Sequence, residues 1–245
     1  MSLLHYLFEL HKYTIIFVIC IHKVRVSLHM EGASVKRFQN VCVFCGSSPG
    51  KNQVYIEAAN NLGRVLAERK INLVYGGGSL GLMGSVSTAA HVGGSRVLGI
   101  IPTALAKKEL TGTTVGEEFR VLSMHERIAR MLTNSDAFIA LPGGFGTLEE
   151  IFQIASWAQL NMHKKPIGLL NVNGFFNCLM CFLDQVVEQG FLSQATRKIL
   201  VSASTIDELM DKLQAFVYEP DPVASRIVWT EDKSQKRKLD LNLHL

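Results

Sequence analysis

The chain has 245 residues, of which 48% are hydrophobic and 19% charged, and its formal net charge is +4. This length suits one α/β domain with a full core and is short for two. The composition is typical of a globular protein, and the mild charge, without a basic face interleaved with aromatic residues, argues against a nucleic-acid partner.

The first 37 residues differ in composition from the rest, and we expect residues 1–37 to be an N-terminal extension. Its apolar run, Tyr13–Ile21, has nine residues, whereas a membrane-spanning helix needs about 20. The features of a signal peptide are not evident. Because Met30 begins a more ordinary soluble N-terminus, we expect the preceding segment to be dispensable or a product of start-site choice. A targeting role is the alternative, since the segment is basic and apolar.

From Asn40 onward, short apolar runs alternate with segments of helical periodicity. The runs predict strands at Val41–Phe44, Leu73–Tyr75, Val97–Ile101, Ala137–Leu141, Ile167–Asn171 and Ile199–Val201, and the periodic segments predict helices at Tyr55–Lys70, Ile151–Leu160 and Leu179–Val187 and after the capping residue Thr205. This alternation predicts an α/β fold, a doubly wound parallel sheet with helices on both faces. We expect this domain to span residues 38–218 and a polar tail to occupy residues 219–245.

Two glycine-rich turns, within Val74–Gly84 and Ala140–Glu150, carry the functional signal of the chain. Each follows a predicted strand and opens a helix, so its glycines let the backbone approach a ligand while free N–H groups point at an anion. Both turns fall at the carboxyl ends of parallel strands, where ligands bind. We therefore predict a site for a phosphorylated small molecule, with a phosphate or nucleotide loop that could include Gly46, Ser47, Gly76, Gly77, Gly78 and Ser79.

Two familiar nucleotide motifs are disfavoured by their surroundings. Gly76–Gly81 satisfies G-x-G-x-x-G, but the next strand ends at Pro102 and the nearest carboxylate is Glu109, so the ribose-binding acid of an NAD site is missing. Gly46–Asn52 resembles a Walker loop but is one residue short and ends in Asn52, where a Ser or Thr would hold magnesium. These departures argue against a dehydrogenase and against a P-loop kinase or ATPase.

The second glycine turn combines room for a phosphate with polar side chains. Three glycines, a hydroxyl and two carboxylates come in the order Gly143, Gly144, Gly146, Thr147, Glu149 and Glu150. Two interpretations are open: either Glu150 faces the ligand pocket, or Thr147 and Glu150 form a capping box that serves only the helix.

The segment Ser123–Met131 favours the ligand interpretation. Ser123 and Glu126 form another capping-box pattern, which places Arg127 in the first helical turn at the ligand end of a strand. An arginine there can bind a phosphate or a carboxylate through two parallel hydrogen bonds, although a surface arginine is the alternative.

With these motifs the chain resembles the LONELY GUY (LOG) family of cytokinin-activating phosphoribohydrolases, once labelled lysine decarboxylase-like, and its core is similar to the plant members. The resemblance runs from about Val41 to Phe216 and includes M-H-x-R at Met124–Arg127 and P-G-G-x-G-T-x-x-E at Pro142–Glu150. It implies a Rossmann-like fold, a homodimer with sites near the interface, and no metal or nucleotide cofactor. The implied reaction is hydrolysis of the N-glycosidic bond of N6-modified adenosine 5'-monophosphates, which yields the free cytokinin base and ribose 5-phosphate.

The resemblance also implies site residues. Arg127 and Glu150 correspond to the catalytic pair. We expect Glu150 to stabilise positive charge on the ribose or to activate water, and Arg127 to position the substrate and support departure of the base. The other implied substrate-binding residues are Glu109, Ile128, Gly144, Phe145, Gly146, Thr147, Leu148, Glu149 and Ser156, the last of which is usually threonine in the family.

Two positions depart from the family pattern. The family usually has lysine after Arg127, whereas this chain has Ile128, which falls into an apolar stripe with Met124 and Met131. Loss of an ammonium beside the phosphate would weaken substrate binding by about 1–3 kcal/mol. Phe145 replaces the usual tyrosine and keeps only its ring. The alternatives to a cytokinin-nucleotide hydrolase are therefore a non-catalytic protein that binds nucleotide monophosphates and a hydrolase that prefers AMP or another nucleotide.

Other chemistry-bearing residues receive structural interpretations. The C-x-x-C pairs at residues 42–45 and 178–181 lie too far apart for a zinc ribbon, so we expect reduced thiols packed in the core and no metal. His125 is expected to be structural or at an interface, and Lys164 and Lys165 to be loop charges.

The tail carries the basic run Lys233, Lys236, Arg237 and Lys238. A run of this length is a weak signal, so we expect a solvated end there, with a nuclear import signal as the alternative. The protein is expected in the cytoplasm, and in the nucleus too if the run is such a signal, without a membrane or nucleic-acid partner.

Overall fold

The structure is a computed structural model that describes residues 38–221, 224–227 and 229. The N-terminal extension, including Tyr13–Ile21, and the basic run of the tail lie outside the described residues, so the expectations for both stay predictions. No helix in the described ranges is long and apolar enough to cross a membrane.

The described residues form one parallel sheet of seven strands. The strands are β1 (Asn40–Phe44), β2 (Asn72–Tyr75), β3 (Val97–Pro102), β4 (Glu117–Val121), β5 (Ala137–Ala140), β6 (Ile167–Leu170) and β7 (Leu200–Ala203). Their spatial order is β4-β3-β2-β1-β5-β6-β7, and β1 pairs with both β2 and β5. The winding direction therefore reverses between β1 and β5, the point at which sheets of this kind open a ligand crevice.

Helices lie between successive strands, and one more follows the last strand. They are α1 (Gln53–Glu68), α2 (Gly81–Val92), α3 (Lys108–Thr111), α4 (Met124–Thr133), α5 (Phe145–Gln159), α6 (Asn177–Glu188), α7 (Gln194–Arg197) and α8 (Ile206–Gln214), with 3-10 turns at Val172–Gly174 and Ala224–Arg226.

Alternating side chains of β1 pack into two different core clusters, one on each face of the sheet. Val41 and Val43 belong to the core cluster that contains buried residues of α1, α2 and α8. Cys42 and Phe44 belong to the cluster that contains buried residues of α4, α5 and α6. Helices therefore cover both faces of the sheet, which confirms the predicted doubly wound α/β fold.

The strands match the prediction within two residues at each end, except that β4 was not predicted. The first four residues of β4 are exposed because it is an edge strand, so its sequence lacks the apolar run by which the other strands were recognised. Helix α5 begins at Phe145, six residues before the predicted start at Ile151. The prediction missed these first turns because they are glycine-rich and polar and lack the apolar periodicity of a helix. Thr205 caps α8 as predicted and accepts a hydrogen bond from the N–H of Glu208.

Two predictions about the core need correction. Cys42 and Cys45 are buried, as expected, but Cys178 and Cys181 are exposed on α6. In the apolar stripe of α4, Ile128 and Met131 are buried, but Met124 at the first helical position is 41% exposed. Met124 lies outside the core because the helix only begins there.

The first part of the predicted polar tail contacts the domain. Ser193 Oγ donates to Asp221 Oδ2 at 2.7 Å, and Trp229 Nε1 donates to the carbonyl oxygen of Leu160 at 2.7 Å. These contacts place Asp221 and Trp229 against the folded domain.

Candidate active site

The loops that follow β1 and β5 meet at the carboxyl edge of the sheet. The N–H of Gly46 donates to the carbonyl oxygen of Pro142 at 3.0 Å, which joins the two loops. Between them lies a cavity of about 350 Å³, whose walls include Gly46, Ser47, Gly143 and Gly144. The structure thus brings the loop after β1 together with the second glycine turn, at the predicted edge.

The start of α5 is open to a ligand. Its capping residue, Gly144, has φ of −98° and supplies no side-chain cap. Apart from its chain neighbours and the backbone of its own helix, a Cβ atom added at Gly144 or Gly146 would have no protein atom within 4 Å, and neither residue has left-handed backbone. Glycine at these positions is therefore required neither by packing nor by the backbone angles. The free space beside the exposed helix N–H groups is what an anion would occupy.

Thr147 lies one turn into the same helix and is 4% exposed. A Cβ atom at Gly143 would collide with the Thr147 hydroxyl, so glycine at 143 lets this side chain lie against the turn. Among the hydrogen bonds of the described residues, none involves the Thr147 hydroxyl. The hydroxyl thus remains available to a bound group.

Arg127 and Glu150 form an ion pair. Arg127 Nη1 lies 3.2 Å from Glu150 Oε1, and the two side chains are only 12% and 10% exposed. Ser123 caps α4 by accepting a hydrogen bond from the N–H of Glu126 at 3.1 Å, as the sequence predicted, and this start places Arg127 in the first turn. The structure brings the two predicted catalytic residues into contact, although they are 23 positions apart in the sequence.

Two carbonyl groups hold the Arg127 guanidinium. Its Nε donates to the carbonyl oxygen of Ile100 at 3.1 Å, and its Nη2 donates to that of Gly76 at 3.4 Å. Four parts of the chain therefore meet at one side chain: β3, the first glycine turn, α4 and α5. Because the guanidinium is held from several sides, Glu150 faces a fixed positive charge.

Burial raises the pKa of Glu150 from its usual value of about 4.5 to about 7. The positive charge of Arg127 opposes this shift, and the nearby Glu149 adds to it. A carboxyl group with such a pKa exists in both protonation states near neutral pH, as acid–base catalysis requires. Since Glu150 pairs with Arg127 and Thr147 lies inside the helix rather than at its cap, the capping-box interpretation is wrong.

The remaining predicted residues lie at different depths. Glu149 is exposed, Leu148 is half-buried, and Phe145 extends into solvent with 93% exposure. Ser156 lines a separate apolar groove with Phe152 and Leu183.

Two further substrate-binding predictions lie in contrasting environments. Glu109 is exposed on α3. Ile128 is 3% exposed and packs in the core cluster beneath the sheet, although the resemblance assigned this position to substrate.

The first glycine turn contacts protein through many of its polar groups. Gly76, Gly77 and Gly78 are buried. The carbonyl of Gly77 accepts a hydrogen bond from the Thr114 hydroxyl at 2.8 Å, and the N–H of Ser79 donates to the carbonyl oxygen of Thr111 at 2.8 Å. The assignment of this turn to a phosphate loop stays a prediction.

Sequence patterns missed some residues near the site. Tyr55 of α1 and Phe175 after β6 line the cavity, and their rings meet edge to face with centroids 5.9 Å apart. Neither belongs to a glycine motif, so no local signal marked them.

The residues set aside for other chemistry also have definite environments. Lys165 is half-buried and donates to the carbonyl oxygen of Leu132 at 2.6 Å, so it is a structural tether rather than a free loop charge. His125 is exposed. In the described part of the chain, no group of three or more His, Cys, Asp or Glu side chains could hold a metal ion.

Comparisons with known proteins identify relatives of this chain. A family model described as "Possible lysine decarboxylase" matches residues 83–213. The chain is 54% identical over 195 residues to cytokinin riboside 5'-monophosphate phosphoribohydrolase LOG7 of Arabidopsis thaliana, with 80% of this chain and 90% of that protein covered. It is 51% identical to the Arabidopsis thaliana protein LOG3 of the same description, with 84% and 97% covered.

Solved structures support the fold. A structural-genomics target, TM1055, has a TM-score of 0.56 at 23% identity and covers 73% of this chain and 99% of its own. The molybdenum cofactor carrier protein of Chlamydomonas reinhardtii has a TM-score of 0.54 at 20% identity, with 73% and 98% covered. At these identities the likeness concerns the fold alone. The sequence matches, in contrast, extend through both the Arg127 and the Glu150 motifs, and the chain therefore belongs to the LONELY GUY family of phosphoribohydrolases.

Proposed function

We propose that this protein hydrolyses the N-glycosidic bond of N6-substituted adenosine 5'-monophosphates and releases the free cytokinin base and ribose 5-phosphate. The observation that carries the proposal is the buried Arg127–Glu150 pair beside the open start of α5. Relatives at 51–54% identity bear the name of this activity. A carboxylate, a cation and an anion-binding helix start are the groups that such a reaction needs.

The start of α5 serves to anchor the phosphate. The N–H groups that follow Gly144 have no side-chain cap, and the Thr147 hydroxyl lies beside them. A phosphate bound here would accept hydrogen bonds from the backbone and gain from the positive end of the helix dipole. Since the phosphate is attached to the ribose, anchoring it holds the sugar in one position while the base departs.

Glu150 and Arg127 act at the sugar. As the bond between C1' and the base nitrogen breaks, its electron pair leaves with the base and positive charge builds on the ribose. The Glu150 carboxylate stabilises that charge or accepts a proton from the water whose oxygen bonds to C1'. Arg127 orients the substrate and supports the departing base, whose nitrogen takes up, directly or through solvent, the proton that the attacking water gave up. The raised pKa of Glu150 suits a group that must exchange a proton.

The environment of Ile128 favours an enzyme over a protein that only binds nucleotide. The sequence raised the second possibility because the family usually has lysine here. In the structure, the Ile128 side chain is buried in the core and stabilises α4 by packing there. The Arg127–Glu150 pair forms with isoleucine at residue 128.

The test is an end-point assay on the purified full chain. Isopentenyladenosine 5'-monophosphate and its riboside are supplied separately, and free base is measured by chromatography. We expect base from the monophosphate only, and none from the Glu150→Gln variant. Absence of base from both compounds, with a folded protein that binds AMP, would instead favour the nucleotide-binding alternative. Comparable rates with AMP and with the N6-substituted nucleotide would favour a hydrolase of plain nucleotides.

We also propose that the protein is a homodimer, as the family resemblance implies, and that it is located in the cytoplasm. Light scattering during size-exclusion chromatography measures the molar mass in solution, and a mass of one chain would contradict the dimer. A fluorescent fusion of the full chain locates the protein in the cell. Nuclear signal that disappears when Lys236 and Arg237 are changed to alanine would instead identify the basic run as an import signal.

A further inference from the structure

The segment Thr111–Val115 is fastened to the first glycine turn by side chains that the proposed chemistry leaves unused. Ser79 Oγ accepts a hydrogen bond from the N–H of Thr113 at 2.9 Å, while the N–H of Ser79 donates to the carbonyl oxygen of Thr111. The Thr114 hydroxyl donates to the carbonyl oxygen of Gly77. These bonds join a surface segment to a buried turn.

A buried phenol adds a third tether. Tyr75, the last residue of β2, is fully buried. Its hydroxyl donates to the carbonyl oxygen of Val115 at 3.2 Å and accepts a hydrogen bond from the N–H of Val115 at 2.8 Å. Burial raises the pKa of Tyr75, so the phenol stays neutral and keeps its donor proton. Both backbone groups of Val115 are thus satisfied by one side chain.

Glycines, which have no side chain, let the segment Thr111–Val115 and the first glycine turn approach closely. A Cβ atom at Gly112 would collide with the Ser79 hydroxyl, and the residue has φ of +76°. A Cβ atom at Gly99 would lie 2.7 Å from both Gly77 Cα and Thr114 Cγ2. The contact is therefore close-packed as well as hydrogen-bonded, and it leaves the segment little freedom to shift.

This contact connects the turn that holds Arg127 to a segment next to Glu109, which the family resemblance implies to be a substrate-binding residue. The same turn holds Arg127 through the carbonyl of Gly76. The fastened segment begins two residues after Glu109, whose exposed side chain has no hydrogen bond or ion pair among the described residues. The Glu109 carboxylate is therefore available to a substrate. The segment beside it is anchored to the turn that holds Arg127.

We propose that Ser79, with Tyr75 and Thr114, is a positioning residue for substrate binding, because it fixes Glu109 relative to Arg127. This inference rests on the proposed function for the identity of the substrate. Ser79 acts through the segment and does not itself contact the substrate. Loss of a tether should therefore weaken nucleotide binding more than it slows the bond cleavage that Arg127 and Glu150 carry out.

The experiment compares matched variants of the full chain. Ser79→Ala and Tyr75→Phe each remove tethering bonds. Ser95→Ala and Tyr218→Phe are the controls, because each removes a hydroxyl that bonds a carbonyl oxygen elsewhere, at Ile71 and Ala158. For each variant, kcat and KM are measured with isopentenyladenosine 5'-monophosphate, Kd with AMP by calorimetry, and Tm by thermal unfolding.

We expect KM and Kd to rise about three- to tenfold in Ser79→Ala and Tyr75→Phe, the size of one or two lost hydrogen bonds, with a smaller change in kcat. The controls should shift Tm but leave KM and Kd unchanged. The decisive result is a double-mutant cycle, in which Ser79→Ala has little further effect once Glu109 is changed to Gln.

Equal effects in tether and control variants, or additive effects of Ser79→Ala and Glu109→Gln, would overturn the positioning role. If Tyr75→Phe fails to fold, Thr114→Val takes its place. If the unchanged chain binds AMP without turnover, the proposed function fails, while the Kd values still decide the positioning role. Absence of AMP binding by the unchanged chain would overturn both.

Discussion

The carbonyl oxygen of Gly76 accepts a hydrogen bond from Arg127 Nη2, and the guanidinium fills the space where a side chain at residue 76 would stand. A Cβ atom there would lie 2.5 Å from Nη2. The first glycine turn thus shapes the site through the arginine that it holds, whether or not it also touches an anion. This relationship and the ion pair with Glu150 lead to the following predictions.

Gly76→Ala should reduce kcat/KM at least about tenfold, because the added methyl group displaces the guanidinium from Glu150. Steady-state kinetics with the cytokinin nucleotide measures this effect. Gly94→Ala is the control, since Gly94 has φ of +93° and a Cβ atom there would have no neighbour within 4 Å. That variant should lose stability through backbone strain and keep its kcat/KM. Equal kinetic losses in the two variants would show that the arginine is not displaced.

Glu150 should make folding stability depend on pH. Its folded pKa of about 7 lies above the usual value of 4.5, so the native state binds more protons than the unfolded state between these values. The contribution of Glu150 to the free energy of unfolding is therefore fully present below about pH 4.5 and falls as the pH rises towards 7. Above this pH it levels off, after a total loss of about 3 kcal/mol.

Urea unfolding at several pH values tests this dependence. The difference in unfolding free energy between the unchanged chain and Glu150→Gln should fall as pH rises through this window. Glu149→Gln should show at most a weak trend of the same sign, because it removes only a secondary contribution to the raised pKa of Glu150. A flat difference for Glu150→Gln would mean that the carboxyl group is not desolvated in the folded protein.

The ionised form of Glu150 should be the active one, since it stabilises charge or accepts a proton. We expect kcat/KM to rise with pH through about 7 and then to level off, because kcat/KM reports the pKa of the free enzyme. The residual kcat/KM of Glu150→Gln should lack this rise. A kcat/KM that falls through the same range would assign Glu150 the role of an acid that protonates the departing base.

Gly146→Ala should separate stability from binding. A Cβ atom at residue 146 meets no protein atom within 4 Å, and the backbone is not left-handed, so thermal stability should be unchanged or slightly raised. The methyl group would occupy the space assigned to the phosphate, so Kd for AMP should rise at least about tenfold. Calorimetry with AMP and with adenosine measures the effect, which should be absent for adenosine. An unchanged Kd for AMP would place the phosphate elsewhere.

Ile128→Lys tests the departure from the family pattern. Residue 128 lies in the core and is 3% exposed. The ammonium of the new lysine must therefore be buried, or its alkyl chain must extend so that the ammonium reaches the surface. We expect the free energy of unfolding to fall by about 1–3 kcal/mol, without a gain in kcat/KM. Ile128→Leu should remain close to the unchanged chain in both measurements. A lysine variant of normal stability and raised activity would show that the ammonium reaches the phosphate.

Local patterns in the sequence predicted much of the fold and pointed to Arg127 and Glu150 as candidate site residues. Six strands appeared as short apolar runs, and the alternation with helices gave the doubly wound sheet, because parallel strands are buried on both faces. The edge strand Glu117–Val121 could not be found in this way, since four of its five residues are exposed. The caps at Ser123 and Thr205 were recognisable because they depend only on residues three positions apart.

Which groups meet was decided by the tertiary structure. The sequence named Arg127 and Glu150, but burial between two helices and the sheet gives their 3.2 Å contact and raises the pKa of the carboxyl group. The sequence around Glu150 fits both a capping box and a ligand site, and the helix start at Phe145 decides between them. The tether from Tyr75 to Val115 joins residues 40 positions apart, and such contacts depend on strand order and packing. Composition and periodicity follow from the chain itself, whereas distances and desolvation exist only after it has folded.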